Sequence, residues 1–516
     1  MNRLLKILLT VLISFSSFAV AQPFRLWGDL EQGSYGVGFR AVFLYDHSRT
    51  FKTKYDESER EKEATSARPI QIALWYPTKK SERAPKMLFA EYAYLVAREE
   101  RFGELTATAK ERGRTLLHKS LNRWLKEEVP DNKLAELLGM RTACIKDAAP
   151  AKERFPTLIV AQGASQSCFT HSIVCEYLAS HGYVVATSPS MGTYGREITI
   201  DSRGGETQAR DVEFIIGYLH NISMADEEKL ALAGFSFGGS PLMIVPMRNT
   251  TIDALVSLDS FVGFQGVLPH LQQSPSFDIG RMKVPLLHVV QHTNPFLDSS
   301  LIDTLRYADR YIVRIKGLNH FDFSSLGMMS AIIPGFVQNT RPNQRAGYEA
   351  LAHYVLNFLD AVLKGDAAGK KFLMNGVEAN GFSPDLLEMS VKKGTKPPPT
   401  VEEFADIIAT RGIAHAREVF VAEKQNAPDN TLFKEAIVNR LGYEFLYARD
   451  MVDAAIEIFR WNVEAYPASS NVYDSLGEAY LRKENRELAI KNYQKSLELN
   501  PDNTNAVDVL KSLNAK

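Results

Sequence analysis

Leu232-Ala233-Gly234-Phe235-Ser236-Phe237-Gly238-Gly239 is a short apolar run that breaks into a Gly-x-Ser-x-Gly corner. Lys229 to Ala233 has the composition of a buried strand, and Ser240 to Met247 can form a helix. Strand, sharp turn and helix in that order read as a nucleophile elbow, in which the serine sits in a strained corner that lifts its hydroxyl out of the sheet. The two flanking glycines remove Cβ atoms that would collide in so tight a turn, and the amides opening the helix face the serine. A glycine-rich turn with an incidental serine has the same five letters; the flanking strand and helix argue against it.

On either side of the corner, apolar runs alternate with helical spacing. Pro156–Ala161, Tyr183–Thr187, Ala254–Leu258, Leu286–Val290 and Tyr311–Ile315 read as strands, with helices over about 169–181 and 206–219. This alternation predicts a mostly parallel α/β sheet covered on both faces, whose active groups gather on loops at the carboxyl ends of the strands. Val37–Tyr45 and Ile70–Pro77 read as an antiparallel edge pair joined by a charged loop from Lys52 to Arg68. Between Met87 and Ala143, Leu117, Leu121, Leu125, Leu134, Leu137 and Leu138 fall at helical spacing. Such a helical insertion is either a lid or plain packing, and its place at the mouth of the sheet favours the lid.

A serine nucleophile needs a base within hydrogen-bond reach and a third group to orient that base. In sheets with this corner the chain order is serine, acid, histidine. His320 follows the last core strand in Gly317-Leu318-Asn319-His320-Phe321-Asp322-Phe323, whereas His270, His288 and His353 sit in structural contexts. For the acid, Asp259 closes the strand Val256-Ser257-Leu258, and Asp298 and Asp303 follow the next strand. Asp322 stands too near His320 in sequence to be the first choice.

The chain has 516 residues, 45% hydrophobic, with net charge −1, which describes a globular protein of more than one domain without the basic excess that nucleic acid demands. Arg3 and Lys6, an apolar stretch from Ile7 to Val20 and Ala19-Val20-Ala21 read as a signal peptide over residues 1–21. Its apolar core is shorter than a membrane span, and no cysteine follows the cleavage point. An exported protein, periplasmic or extracellular, is expected. The three cysteines Cys144, Cys168 and Cys175 exclude a disulfide framework and a multi-cysteine metal site. Cys168 and Cys175 lie about 10 Å apart along one helix, too far to bridge. A disulfide would have to use Cys144; buried free thiols are the other reading.

Gly-Phe-Ser-Phe-Gly-Gly at the corner, Tyr177 to Ala186, the strand ending Trp75-Tyr76-Pro77, Leu258-Asp259 and Asn319-His320-Phe321 resemble the platelet-activating-factor acetylhydrolase and dienelactone-hydrolase-like branch of the α/β-hydrolases, over roughly residues 36–365. The resemblance implies Ser236, Asp259 and His320 as the triad. It implies the amides of Phe237 and Ala164 as oxyanion donors, an ester substrate with a short-acyl or lipid acid, and no cofactor or metal. Gln162 stands where relatives commonly carry histidine before the glycine, which changes what lines the pocket beside it. Ser236 departs from the cysteine nucleophile of the dienelactone enzymes. Phe261 to Phe264 and Phe321 to Phe323 suit an acyl chain, a hydrophobic alcohol or the core.

Beyond Lys364 the composition changes. A hydrolase domain over 22–370, a linker over 371–400 with Lys392-Lys393-Gly394 and Pro397-Pro398-Pro399, and a helical domain over 401–516 are expected. Ala455, Phe459 and Pro467 recur as Ala489, Tyr493 and Pro501 with a period of 34, while Leu441-Gly442 recurs as Leu476-Gly477 one residue out of phase. This resembles tetratricopeptide repeats and implies partner binding, self-association or a stabilising appendage. Two functions are compatible with the whole: an exported serine esterase, and a non-catalytic hydrolase-fold scaffold that presents its repeats.

Overall fold

The computed structural model describes residues 25–55, 61–123, 128–333, 342–426 and 431–514. The expected signal peptide, like Leu125, lies outside them. Two compact units are present, 1–395 and 396–516. None of the described helices is long and apolar enough to cross a membrane.

The first unit is built on ten strands: β1 (Gly36–Tyr55), β2 (Glu61–Thr78), β3 (Cys144–Lys146), β4 (Phe155–Ala161), β5 (Val184–Ser188), β6 (Ala225–Phe235), β7 (Ala254–Leu258), β8 (Leu286–Gln291), β9 (Arg310–Ile315) and β10 (Leu387–Lys392). They form one sheet in the order β10-β9-β8-β7-β6-β4-β5-β2-β1-β3. From β5 to β9 all neighbours run parallel. β1–β2, β2–β5 and β9–β10 are antiparallel.

Alternation along the buried strands sends side chains to opposite faces. Leu158, Val160, Ala231 and Ala233 enter one core with the Ser172–Ser180 and Gln344–Leu363 helices. Ile159, Ala161, Leu230 and Leu232 enter another with the Ser202–Leu219 helix and the short helix after the corner. Covered on both faces, the parallel strands are apolar throughout, as the sequence runs predict. This is an α/β-hydrolase sheet, followed by an all-helical unit.

Four expectations are corrected. The charged stretch Lys52–Arg68 is not simply a loop: β1 runs on to Tyr55 and β2 begins at Glu61, the two paired with each other. Arg68 is 1% exposed, bonded to Asp211 and to the Met191 and Gly192 carbonyls. Nor is this pair the edge, because β3 lies outside β1. The insertion is part of the body rather than a flap. Tyr92, Leu117, Leu121 and Leu137 are fully buried in the core, and Tyr92 Oη is tied to Trp75 and Glu176. Finally, residues 371–400 are not simply a linker. They include the end of the Ala367–Met374 helix and β10, where Leu387, Met389 and Val391 face inward and Glu388, Ser390 and Lys392 outward. All three cysteines are buried free thiols.

In the second unit successive helices pack on one another, including Glu435–Tyr443, Val452–Ala465, Ser470–Arg482 and Arg486–Leu499. Ala455, Phe459, Leu476, Ala489 and Tyr493 are core residues. Gly442 and Gly477 let partner rings approach: a Cβ on Gly442 would run into the Phe459 ring, and one on Gly477 would lie 3.1 Å from Tyr493. The phase slip has a structural cause. The turns at Asp450 and Glu484, both at positive φ, keep the 34-residue spacing. The extra residue therefore lies between Gly442 and Asp450, where Glu444–Ala448 forms a π-helical turn. A π turn is how a helix absorbs one added residue.

Candidate active site

β6 ends at Phe235, and Ser236 follows at φ +52°. That left-handed conformation is sterically disfavoured for any residue with a Cβ, so it persists only where the surroundings impose it. They do so here by crowding. A Cβ at Gly234 would strike the Gly238 carbonyl, and one at Gly238 would strike the Ala161 carbonyl at the end of β4.

Two later loops bring the other groups to the corner. Asp259, directly after β7 and also at positive φ (+40°), is wholly buried. His320 opens a short helical turn after β9. His320 Nδ1 donates to Asp259 Oδ2 at 2.6 Å, and Ser236 Oγ stands 2.9 Å from His320 Nε2. With the Nδ1 proton held by the carboxylate, Nε2 presents its lone pair to the serine hydroxyl. Ser236, Asp259 and His320 are thus brought together from residues far apart in sequence.

The other candidates lie elsewhere. Asp298 Oδ1 accepts from the Ser300 amide at 2.8 Å, and Asp303 pairs with Lys392. Asp322 accepts from the Asn319 amide at 2.6 Å and from Gln344, bracing the turn that carries His320. His288 is buried, bonded to Ser257 Oγ at 2.8 Å and held down to about 3 by burial. His270 packs edge-on against Phe261, and His353 packs near Tyr177 and Phe382.

Two neighbours of Ser236, Asp259 and His320 escape sequence reasoning. Gln291 at the end of β8 donates to Asp259 twice, from its backbone at 3.1 Å and from Nε2 at 2.8 Å. These bonds compensate a carboxylate buried from solvent. A polar residue closing a buried strand was the available signal. The Phe235 ring stacks on the His320 imidazole at 4.8 Å and 22°. Phe264 and Phe321 flank the same imidazole at 5.8 and 5.3 Å, whereas Phe323 is core.

Phe237 is the second residue of the helical turn after the corner, where a backbone N–H has no intrahelical acceptor. Ala164 sits inside the tight turn Gly163–Gln166 after β4. Gln162 does not line an open pocket: it is fully buried, with Nε2 donating to Thr187 and Oε1 accepting from His171 Nδ1 at 2.7 Å. Burial holds His171 down to about 3, so it is neutral with its proton on Nδ1.

No protein-family model matches the chain, and no curated protein matches it. Among solved structures, a ferulic acid esterase from Streptomyces cinnamoneus is similar at 18% identity and a TM-score of 0.48, covering 70% of this chain and 98% of that one. The fold described above rests on the strand order and on the chain order of corner, acid and histidine.

Proposed function

We propose that the first unit is a serine hydrolase that cleaves carboxylic esters through an acyl-enzyme. The observation that carries this reading is the unbroken hydrogen-bond chain from Ser236 Oγ through His320 to buried Asp259. In the reaction Ser236 Oγ attacks the ester carbonyl as His320 Nε2 takes its proton, and Asp259 holds the imidazolium. The amides of Phe237 and Ala164 take the oxyanion charge; each such donor contributes about 3 kcal/mol of barrier lowering in comparable sites. His320 then protonates the departing alcohol, and water repeats the sequence on the acyl-enzyme.

Aromatic rings around His320 favour apolar esters, with short-acyl and lipid esters the first to try. The residue pattern at 1–21 supports export. The stacked helix pairs support a tetratricopeptide-like role for the second unit in binding a protein partner or another copy. A fluorophosphonate probe and p-nitrophenyl acetate test the central claim. Labelling and turnover are expected in the native chain and lost in Ser236→Ala. A folded native chain that neither labels nor turns over would leave the scaffold reading in its place.

A further inference from the structure

The loops leaving β4 and β5 are stitched together beside Ala164. The turn Gly163–Gln166 closes through the Gln166 amide on the Gly163 carbonyl at 3.1 Å. Within it Ser165 has φ +55°, a conformation that L side chains avoid. Three bonds from the β5 loop hold this turn. Arg196 Nη2 donates to the Ser165 carbonyl at 3.0 Å, the Ile198 amide to Ser165 Oγ at 3.2 Å, and the Ser190 amide to the Gln166 carbonyl at 2.9 Å.

Arg196 is the centre of this arrangement. Its guanidinium also donates to the Ser190 carbonyl at 3.1 Å and to Ser167 Oγ at 3.4 Å, and its Nε lies 2.9 Å from Glu99 Oε2. The Glu99 side chain is 2% exposed and that of Arg196 23%. A carboxylate so deeply buried is expensive unless matched by a cation, and a planar guanidinium fixes direction as well as charge. Glu99 lies just beyond the Ala90–Val96 helix, so the helical insertion reaches the turn through this pair.

We infer that Arg196, oriented by buried Glu99, is a positioning residue that keeps the Gly163–Gln166 turn in the shape that aims the Ala164 amide at the oxyanion. The inference rests on the hydrolase reading for its catalytic consequence, but the clamp itself is a structural claim. It assigns the insertion a part in catalysis without opening or closing.

The test uses the full chain with Arg196→Ala, Arg196→Lys and Glu99→Gln. In Arg196→Ala, kcat for p-nitrophenyl acetate should fall about 100-fold, the range seen when an oxyanion donor is lost, with KM within about threefold. Amide hydrogen exchange over 162–167 should speed up. Millimolar methylguanidinium should restore part of kcat in Arg196→Ala and do nothing to the native chain. Arg196→Lys, which cannot fork, should stay impaired. Glu99→Gln keeps the shape without the charge and serves if Arg196→Ala does not fold; a roughly tenfold loss of kcat with faster exchange at the turn is expected. Unchanged exchange, unchanged kcat, or a loss confined to KM would overturn the inference. A native chain without esterase activity would remove the hydrolase reading, while exchange at 162–167 would still decide the clamp.

Discussion

Ser236, His320 and Asp259 form one hydrogen-bonded chain, and in the proposed reaction the role of each comes from what surrounds it. Asp259 has no solvent, and its charge is met by His320 and by two donors from Gln291. Asp259→Asn presents an amide in place of the acceptor and favours the wrong imidazole tautomer. It should lower kcat by about 10⁴-fold with the fold intact, measured by steady-state kinetics beside a circular dichroism spectrum. Gln291→Leu removes only the side-chain bond and leaves the backbone donor. A loss of about 10-fold in kcat is expected, because a hydrogen bond to a charged group contributes about 1.5 to 3 kcal/mol. No change would mean that the backbone amide alone suffices.

Among elements, the helical unit shows how a repeat tolerates a defect. In its first copy the extra residue is confined to the π turn Glu444–Ala448, so the aromatic contact of Phe459 with Gly442 keeps its place. Gly442→Ala would put a methyl group into the Phe459 ring. It should destabilise the second unit by about 1 to 3 kcal/mol, read as a shift in urea unfolding followed by circular dichroism. The hairpin of β1 and β2 carries a related lesson. Arg68 reads as a loop residue in sequence, but with Arg49 it holds Asp211 in a buried ion-pair network, and it is bonded to the loop after β5. A charge is a sign of solvent only until a partner is found, and these partners lie more than a hundred residues away.

At the scale of the whole molecule, the proposed triad, the Gly163–Gln166 turn and their supports all belong to residues 1–395. A chain covering 22–395 should therefore fold and label at Ser236 as fast as the full chain, a comparison that fluorophosphonate kinetics makes directly. Stability should also depend on pH. His171 and His288 are held down to about 3 by burial, below the value of about 6.5 in an unfolded chain. As pH falls through 6.5 the unfolded chain takes up these protons first, so each histidine removes about 1.4 kcal/mol of stability per pH unit down to about 3. Glu99 and Glu176, raised by burial, act in the opposite sense as pH approaches the carboxyl range. Melting temperature should drop from pH 7 to pH 5, and less so in His288→Asn.

Local chemistry by itself determined the corner at Ser236, the five apolar strands around it and His320 as the candidate base. Each is written in a few adjacent residues whose periodicity or backbone demands have one solution. The 34-residue period was equally plain, because a repeat carries its own comparison. Only the tertiary structure decided the rest. It set Asp259, and not Asp298 or Asp303, against His320, paired β10 with β9 across a stretch that reads as a linker, and buried Arg68 in an ion-pair network. It also buried Gln162 and set Arg196 and Glu99 beside the Gly163–Gln166 turn. Those outcomes depend on contacts between residues distant in the chain, and the energy of a buried charge or an edge strand is set by a partner that no local window contains.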